Sequence, residues 1–284
     1  MSRIHDLLAA GTTTSFELFP PRSDEAERTL EKAVVELAEL EPSFVSVTYG
    51  ALGSTRERTR DLVTRINAEQ SFPAMPHLTC VGHTRADIAE LLDHYAASGI
   101  ENILALGGDP PADGSTPEGD FEHASELLEV VRAHPAGFSV GVAAHPEIHP
   151  RSPDRESDRR FLAEKLAAAD FAMTQFFFDV DDYVRLIEEL QALGVDKPVL
   201  PGVMPVATVA GVIRMAGMNG SLIPAPLLER LQAVEDQPDE VRKIGVETAT
   251  ELGAALLAAG SPGLHLYALN RSESIREIHA NLNL

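Results

Sequence analysis

The sequence predicts an α/β chain folded as a single (β/α)8 TIM barrel over residues 1–284, with extra helices between strands 7 and 8. Three observations carry this expectation. Short strand-like runs alternate eight times with helical segments, the composition does not shift along the chain, and the strands share one side-chain parity. A length of 284 residues exceeds the usual domain but suits one closed α/β barrel.

The strand-like runs are 14–19 (TSFELF), 44–50 (FVSVTYG), 75–82 (MPHLTCVG), 102–108 (NILALGG), 139–145 (SVGVAAH), 171–178 (FAMTQFFF), 198–206 (PVLPGVMPV) and 264–270 (LHLYALN). After the first, Leu30, Ala33, Val34, Leu37 and Leu40 form a helical stripe behind a Ser23 cap, with Asp24 and Glu25 in the first turn. Ser54 and Glu57 stand at capping-box spacing before Leu62, Val63 and Ile66, and Thr84 with Asp87 repeats the device before Ile88, Leu91, Leu92 and Tyr95, a helix that Gly99 stops. Tyr183, Leu186, Ile187 and Leu190 make a stripe ended by Gly194. Val241, Ile244, Thr248, Leu252 and Leu256 make a longer one ended by Gly260, and Ile275, Ile278 and Leu282 close the chain. The stretch 207–262 is too long for one connection, and Pro226 suits the first turn of an added helix there.

Within the strands, Ser15 and Glu17 alternate with Phe16 and Leu18, Ser46 and Thr48 with Val45 and Val47, His77 and Thr79 with Leu78 and Cys80, and Gly141 and His145 with Val140 and Val142. Helices cover the apolar face of a parallel strand, so the polar face points into the barrel. Side chains near the strands' carboxyl ends then form the active site.

The charge balance excludes whole classes of partner. With 23 Lys and Arg against 44 Asp and Glu, the net charge of −21 repels nucleic acid and anionic lipid. No apolar run approaches the ~20 residues that span a bilayer, the opening Met1 to Leu8 lacks a signal region, and the single cysteine, Cys80, rules out an internal disulfide. A cytoplasmic enzyme is expected, with Cys80 in the core.

The candidate residues sit at the strand ends. Glu17, followed by Pro20 and Pro21, reads either as a solvated carboxylate or as an acid among Phe16, Leu18 and Phe19 that protonates a leaving nitrogen. Gly107-Gly108-Asp109-Pro110-Pro111 reads either as a tight turn or as a close backbone approach to a ligand with an aspartate that stabilises a cation. Gln175 is an amide that either satisfies the core or reads a ligand edge, with Phe177 beside it as an aromatic wall. Arg271 suits a carboxylate clamp or a surface ion pair. His77, His145 and His149 could hold a metal, but the first strand has no His-x-His pair and His265 has no second histidine in register, so no metal is expected. There is no GxGxxG, Walker or GxSxG motif.

Taken together, SFELFPPR (15–22), FVSVTYG (44–50), PHLTC (76–80), ALGGDPP (105–111), AAHPEIHP (143–150), TQFFFD (174–179), PGVMPV (201–206) and LYALNR (266–271) resemble, in order and over nearly the whole chain, the strand-end motifs of methylenetetrahydrofolate reductases. The resemblance implies reduction of 5,10-methylenetetrahydrofolate to 5-methyltetrahydrofolate for methionine synthesis. NAD(P)H is the electron source, NADH ahead of NADPH, and family members pass the hydride through FAD and often form oligomers. It makes Glu17 the general acid, Asp109 the pterin contact that stabilises cationic charge, and Gln175 and Arg271 folate-binding residues. It places Thr48, His77, Gly108, His145, His149, Asp158 and Lys165 on the cofactor side.

The departures from the family pattern cluster there. Gly107 stands where the family has arginine, His145 where it has tyrosine, Phe161 and Glu164 where it has asparagine and a basic residue, Met215 where it has an aromatic, and Gly211 where it has glutamine. Losing an arginine and gaining a glutamate beside a diphosphate costs ~1.5–3 kcal/mol each. The expectation is weak or absent FAD binding and direct hydride transfer from NAD(P)H, with Arg159 or Arg160 as the residues able to replace the lost contacts. The alternatives are a metal-dependent barrel hydrolase and a catalytically weak folate-binding paralogue.

Overall fold

The computed structural model describes residues 2–49, 56–108 and 118–284. Its eight strands, β1 (Thr13–Leu18), β2 (Phe44–Val47), β3 (Ala74–Thr79), β4 (Asn102–Leu106), β5 (Ser139–Ala144), β6 (Phe171–Phe176), β7 (Val199–Val203) and β8 (Gly263–Tyr267), pair in parallel in chain order, and β8 closes on β1. Every strand but β1 is shorter than the run that announced it, because the residues beyond its last partner already belong to the rim.

The helices are α1 (Ile4–Ala10), α2 (Asp24–Ala38), α3 (Arg56–Glu69), α4 (Arg85–Ala97), α5 (Ala124–Ala133), α6 (Arg155–Ala168), α7 (Val180–Ala192), α8 (Val209–Asn219), α9 (Ala225–Gln232), α10 (Pro238–Ala258) and α11 (Glu273–Leu282). Ser23 Oγ accepts from Ala26 N at 3.2 Å, and Thr84 and Asp87 form the reciprocal capping box. Ser54 lies outside the described residues. Gly99 follows α4 at φ +71°, a conformation that strains any side chain.

The expected side-chain parity holds in the outer layer. Phe16, Leu18, Val45, Val47, Leu78, Cys80, Val140 and Val142 are buried in the cluster shared with the helices. Inside, the lumen is divided. Its lower part is apolar: Phe44, Met75, Leu104, Phe171, Met173 and Leu200 pack against Ile4 and Leu8 of α1. The sequence reading did not anticipate α1, a helix of 7 residues with no side-chain cap. It plugs the amino end, where Ile4 N donates to Asn102 Oδ1 at 2.7 Å. Gly141 makes this packing possible, since a Cβ there would lie 2.5 Å from the Phe171 ring. The upper lumen carries Ser15, Glu17, Ser46, His77 and His265.

Three helices, α8, α9 and α10, fill the connection between β7 and β8, and α10, packed on α7, β7 and β8, is the ordinary barrel helix, so α8 and α9 are the extra ones. Val209, Val212 and Ala216 of α8, Leu227 and Leu231 of α9 and Val241 of α10 pack on Phe176, Met204 and Val206 at the carboxyl ends of β6 and β7, with Met215 against the same cluster. Among the described residues no helix is long and apolar enough to cross a membrane.

Candidate active site

Glu17 is the penultimate residue of β1, so its side chain enters the lumen between β8 and β2, and it is 13% exposed. Two imidazoles flank one carboxyl oxygen. His77 Nε2 from β3 lies 3.6 Å from Glu17 Oε2 and His265 Nε2 from β8 lies 3.5 Å from it. Burial pushes the His77 imidazolium down to about 4, against the opposing pull of Glu17, so His77 is neutral near pH 7 and its contact with Glu17 is not an ion pair. His265, fully buried, also meets Ser15 Oγ at Nδ1 (2.8 Å) and Ser46 Oγ at Nε2 (3.2 Å).

Gln175 stands on the same lumen wall. Its Oε1 accepts from Phe176 N (3.1 Å) and shares the Tyr267 hydroxyl hydrogen (3.2 Å) with Thr174 O (3.2 Å). Both known partners sit on the carbonyl side, which leaves the amide NH2 as the group offered to a ligand. Burial drives the Tyr267 phenol well above its ordinary range, and the Glu17 charge pushes the same way, so it is a donor at every working pH. Phe177, expected beside Gln175 as an aromatic wall, lies in the outer core stacked on Tyr183 (6.3 Å, 10°). A register irregularity between Met173 and Phe176 breaks the alternation of β6. The ring next to the site is Phe176, edge-on to Tyr267 at 6.2 Å.

At the rim, Thr48 N donates to Leu18 O at 2.9 Å, tying the ends of β1 and β2. Gly108 is held at φ +87°, and a Cβ there would lie 3.1 Å from Thr79 Cβ. Asp109 lies outside the described residues. Arg271 is exposed in the turn between β8 and α11, where Leu269 and Asn270 take positive φ values of 50° and 57°. Asn270 holds that turn, accepting from Phe19 N at 3.0 Å and donating to Phe19 O at 2.8 Å. Sequence reasoning missed Ser15, Ser46, Tyr267 and Asn270 as site residues and set His265 aside. The motif LYALNR contained two of them, but the polar partners come from other strands.

Of the residues that the family resemblance puts on the cofactor side, His145, His149, Asp158 and Lys165 come from the loop after β5 and from α6. His145 and His149 meet edge to face at 4.5 Å. Burial, reinforced by His149, drives the His145 imidazolium down to about 3, so that ring is neutral. Asp158 accepts from His149 N (3.1 Å), Ser152 Oγ (2.7 Å) and Arg159 Nη1 (2.6 Å). Lys165 Nζ donates to Ala143 O at 3.2 Å, and desolvation lowers its pKa. Arg159, 3% exposed, gives Nε to Glu189 (2.6 Å), Nη1 also to His145 O (3.1 Å), and Nη2 to Pro146 O (2.6 Å) and Glu147 O (3.1 Å). Five partners match the five N–H bonds of a guanidinium, so Arg159 has no donor left for a phosphate. Phe161 and Glu164 occupy the exposed face of α6, where Arg160 lies over the Phe161 ring at 5.5 Å. This set does not fit a flavin dinucleotide diphosphate. Its buried guanidinium is saturated within the protein, Lys165 Nζ is turned to Ala143 O, and a carboxylate stands at the surface where charge-assisted donors are needed. His77 on one side and the His145–His149 pair on the other belong to separate contact sets. Among the described residues, no three His, Cys, Asp or Glu side chains are gathered as a metal site.

The sequence profile of the family described as methylenetetrahydrofolate reductase matches residues 3–283. The 5,10-methylenetetrahydrofolate reductase of Escherichia coli K12 is 36% identical over 260 residues, covering 91% of this chain and 86% of the relative. Methylenetetrahydrofolate reductase (NADH) 1 of Arabidopsis thaliana is 34% identical over 287 residues, covering 96% of this chain and 48% of the relative. In three dimensions the chain is similar, at TM-score 0.69 and 13% identity, to a Clostridium thermocellum protein described as binding two copies of 5-methyl-5,6,7,8-tetrahydrofolic acid, over 98% of this chain and 97% of that one. At that identity the likeness is one of fold. The profile match from residue 3 to residue 283 and the bacterial relative over 91% of the chain place this barrel in the methylenetetrahydrofolate reductase family.

Proposed function

We propose that the chain reduces 5,10-methylenetetrahydrofolate to 5-methyltetrahydrofolate with a reduced nicotinamide dinucleotide, NADH ahead of NADPH, as direct hydride donor and without tightly held FAD. The observation that carries the reaction is the position of Glu17. It is a nearly buried carboxyl at the carboxyl end of β1, between two imidazoles and across from an amide that offers its NH2. The methylene group bridges two nitrogens of the folate. Protonation by Glu17 of the nitrogen that leaves breaks one C–N bond and creates an iminium at the other nitrogen, whose carbon is the hydride acceptor. Gln175, oriented by Tyr267 and Phe176 N, reads an acceptor on the heterocycle, and Arg271 on the rim suits the substrate's carboxylates. Asp109 keeps the cation-stabilising role that the family resemblance implies. Thr48, Gly108 and His77 line the space beside Glu17. The nicotinamide, when bound, supplies the hydride, and His145, His149, Asp158 and Lys165 shape the wall next to it.

Support for flavin independence is the internal saturation of Arg159, which Asp158 and Glu189 hold, and the turn of Lys165 Nζ to Ala143 O, together with the outward Phe161 and Glu164. Direct transfer requires both reactants in the site at once, so initial-rate plots of methylenetetrahydrofolate-dependent NADH oxidation should intersect. Protein purified without added cofactor should show no flavin absorbance. Stoichiometric flavin with parallel-line kinetics would refute this part of the reading. Absence of turnover with either nicotinamide, with folate binding intact, would favour the folate-binding paralogue.

A further inference from the structure

The reaction above uses the Glu17 carboxyl but not the histidine packed beneath it. His265 pairs in register with Ser15 of β1 and with Gly202 of β7, and its ring stacks on Phe44 at 6.0 Å and 12°. It is sealed from solvent. The polar groups it meets come from β1 and from β2 beyond it: Ser15 Oγ at Nδ1 (2.8 Å), and Ser46 Oγ (3.2 Å) and Glu17 Oε2 (3.5 Å) at Nε2.

Counting protons orders this cluster. A serine hydroxyl has one hydrogen, and that of Ser15 has a pure acceptor in reach, the Leu264 carbonyl at 3.4 Å. With its hydrogen placed there, Ser15 Oγ turns a lone pair to the imidazole, and Nδ1 must carry the ring hydrogen. On a singly protonated ring the Nε2 is then bare. Its single lone pair is open to the hydrogen of a Glu17 carboxylic acid, shared with the Ser46 hydroxyl, and it repels a carboxylate.

We propose that Ser15 and His265 form a positioning pair that fixes the imidazole with Nδ1 protonated and thereby holds the proton on Glu17 for delivery to the leaving nitrogen. This rests on the reading of Glu17 as the acid. The other groups facing the pair and the carboxyl are Ser46 from β2, His77 from β3 and Tyr267 from β8. β7 contributes Gly202, which has no side chain to titrate. His77 is neutral above about pH 4 and Tyr267 is neutral throughout, so neither supplies a positive charge that would favour the carboxylate.

Two measurements test it. Nitrogen-15 NMR of the intact, histidine-labelled protein at neutral pH should show the His265 resonances of an Nδ1–H ring, assigned by their loss in His265→Asn, and Ser15→Ala should shift the ring toward the other tautomer. An Nε2–H ring in the unsubstituted protein overturns the proposal, whatever the fate of the variants. In the pH dependence of kcat, Ser15→Ala and His265→Asn should move the alkaline limb to lower pH, by about one unit for the histidine variant, because a hydrogen bond to the protonated acid has been removed. A limb that moves to higher pH, or does not move while the rate falls uniformly, overturns it. If Glu17→Gln retains full turnover, the assignment of the acid itself fails, and the tautomer measurement separates that failure from one in the pair.

Discussion

Arg159 distinguishes a structural cation from a dinucleotide ligand, and replacing it with methionine makes the distinction measurable. The side chain is 3% exposed and bridges the loop carrying His145 and Glu147 to Asp158 on its own helix and Glu189 on α7. Removing the guanidinium takes one donor from each of two carboxylates and from three carbonyls, leaves Asp158 with only the neutral donors His149 N and Ser152 Oγ, and loss of one member of a buried pair costs ~3–5 kcal/mol. Glu189 is 29% exposed and keeps Arg155 at 3.5 Å, so water and that arginine relieve it, and the cost falls to the lower end, about 3 kcal/mol. For a domain of this size about 2 °C of Tm is lost per kcal/mol, so the variant should melt roughly 6 °C lower. Arg159→Lys keeps the charge but not the planar fork and should fall between the two. Thermal unfolding followed by circular dichroism reads the stability, and calorimetric titration with NADH and with FAD reads the affinity. An unchanged Tm with an affinity loss of tenfold or more in either variant would refute the structural assignment and make Arg159 a phosphate contact.

Glu17→Gln should lower kcat by about 10²–10⁴-fold with an unchanged Tm, since it removes the proton donor without removing bulk. Retained turnover would show that another group protonates the leaving nitrogen. Gly202→Ala places a Cβ 2.5 Å from Thr174 O and 2.7 Å from Tyr267 Cε2, so it should cost ~1–3 kcal/mol and raise the KM for folate by displacing Tyr267 from Gln175. A variant with native Tm and KM would disprove that close approach. His77 and His145 titrate at about 4 and about 3 in the folded protein, below their ordinary value near 6.5. Between those values the unfolded chain binds more protons, so stability is full above pH 6.5 and is lost as pH falls toward 4, by at most about 1.4 kcal/mol per pH unit for each ring. Urea midpoints at pH 7, 6 and 5 should fall in that order, and a midpoint that rises on acidification would contradict the neutral-ring assignment.

The barrel was legible because strand parity is a local property. The alternation that sets Ser15, Glu17, Ser46 and His77 against Phe16, Leu18, Val45, Val47 and Leu78 survives folding intact. The same rule misplaced Phe177, because the irregularity in β6 between Met173 and Phe176 shifts parity by one, and periodicity cannot show a bulge in advance. His265 was passed over for want of a second histidine. Its partners are serines on β1 and β2 that lie more than two hundred positions away in the chain, and only closure of β8 on β1 brings them together. Helix α1 escaped because a short segment with Arg3 as an uncapped start carries no helix signal beyond Ile4 and Leu8.

The cofactor side shows where residue identity alone misleads. Asp158 and Lys165 match the family pattern by type, and Arg159 offers a second cation nearby, so a count of charges would find the dinucleotide site half intact. The geometry of α6 changes that count. Asp158, Arg159, Leu162 and Leu166 are buried on one face, and the Lys165 ammonium turns back to Ala143 O. The exposed side at the same level presents Phe161 and Glu164. A cation already bonded to buried carbonyls and carboxylates would have to abandon them to meet a phosphate, leaving those groups unsatisfied at ~1–3 kcal/mol each, and the exchange gives no net gain. Arg159 and Asp158 therefore fasten the His145–His149 loop. The affinity for a second, tightly held dinucleotide would have to come from outside this helix, which is why the proposed reaction brings the nicotinamide and the folate into one lumen above Glu17.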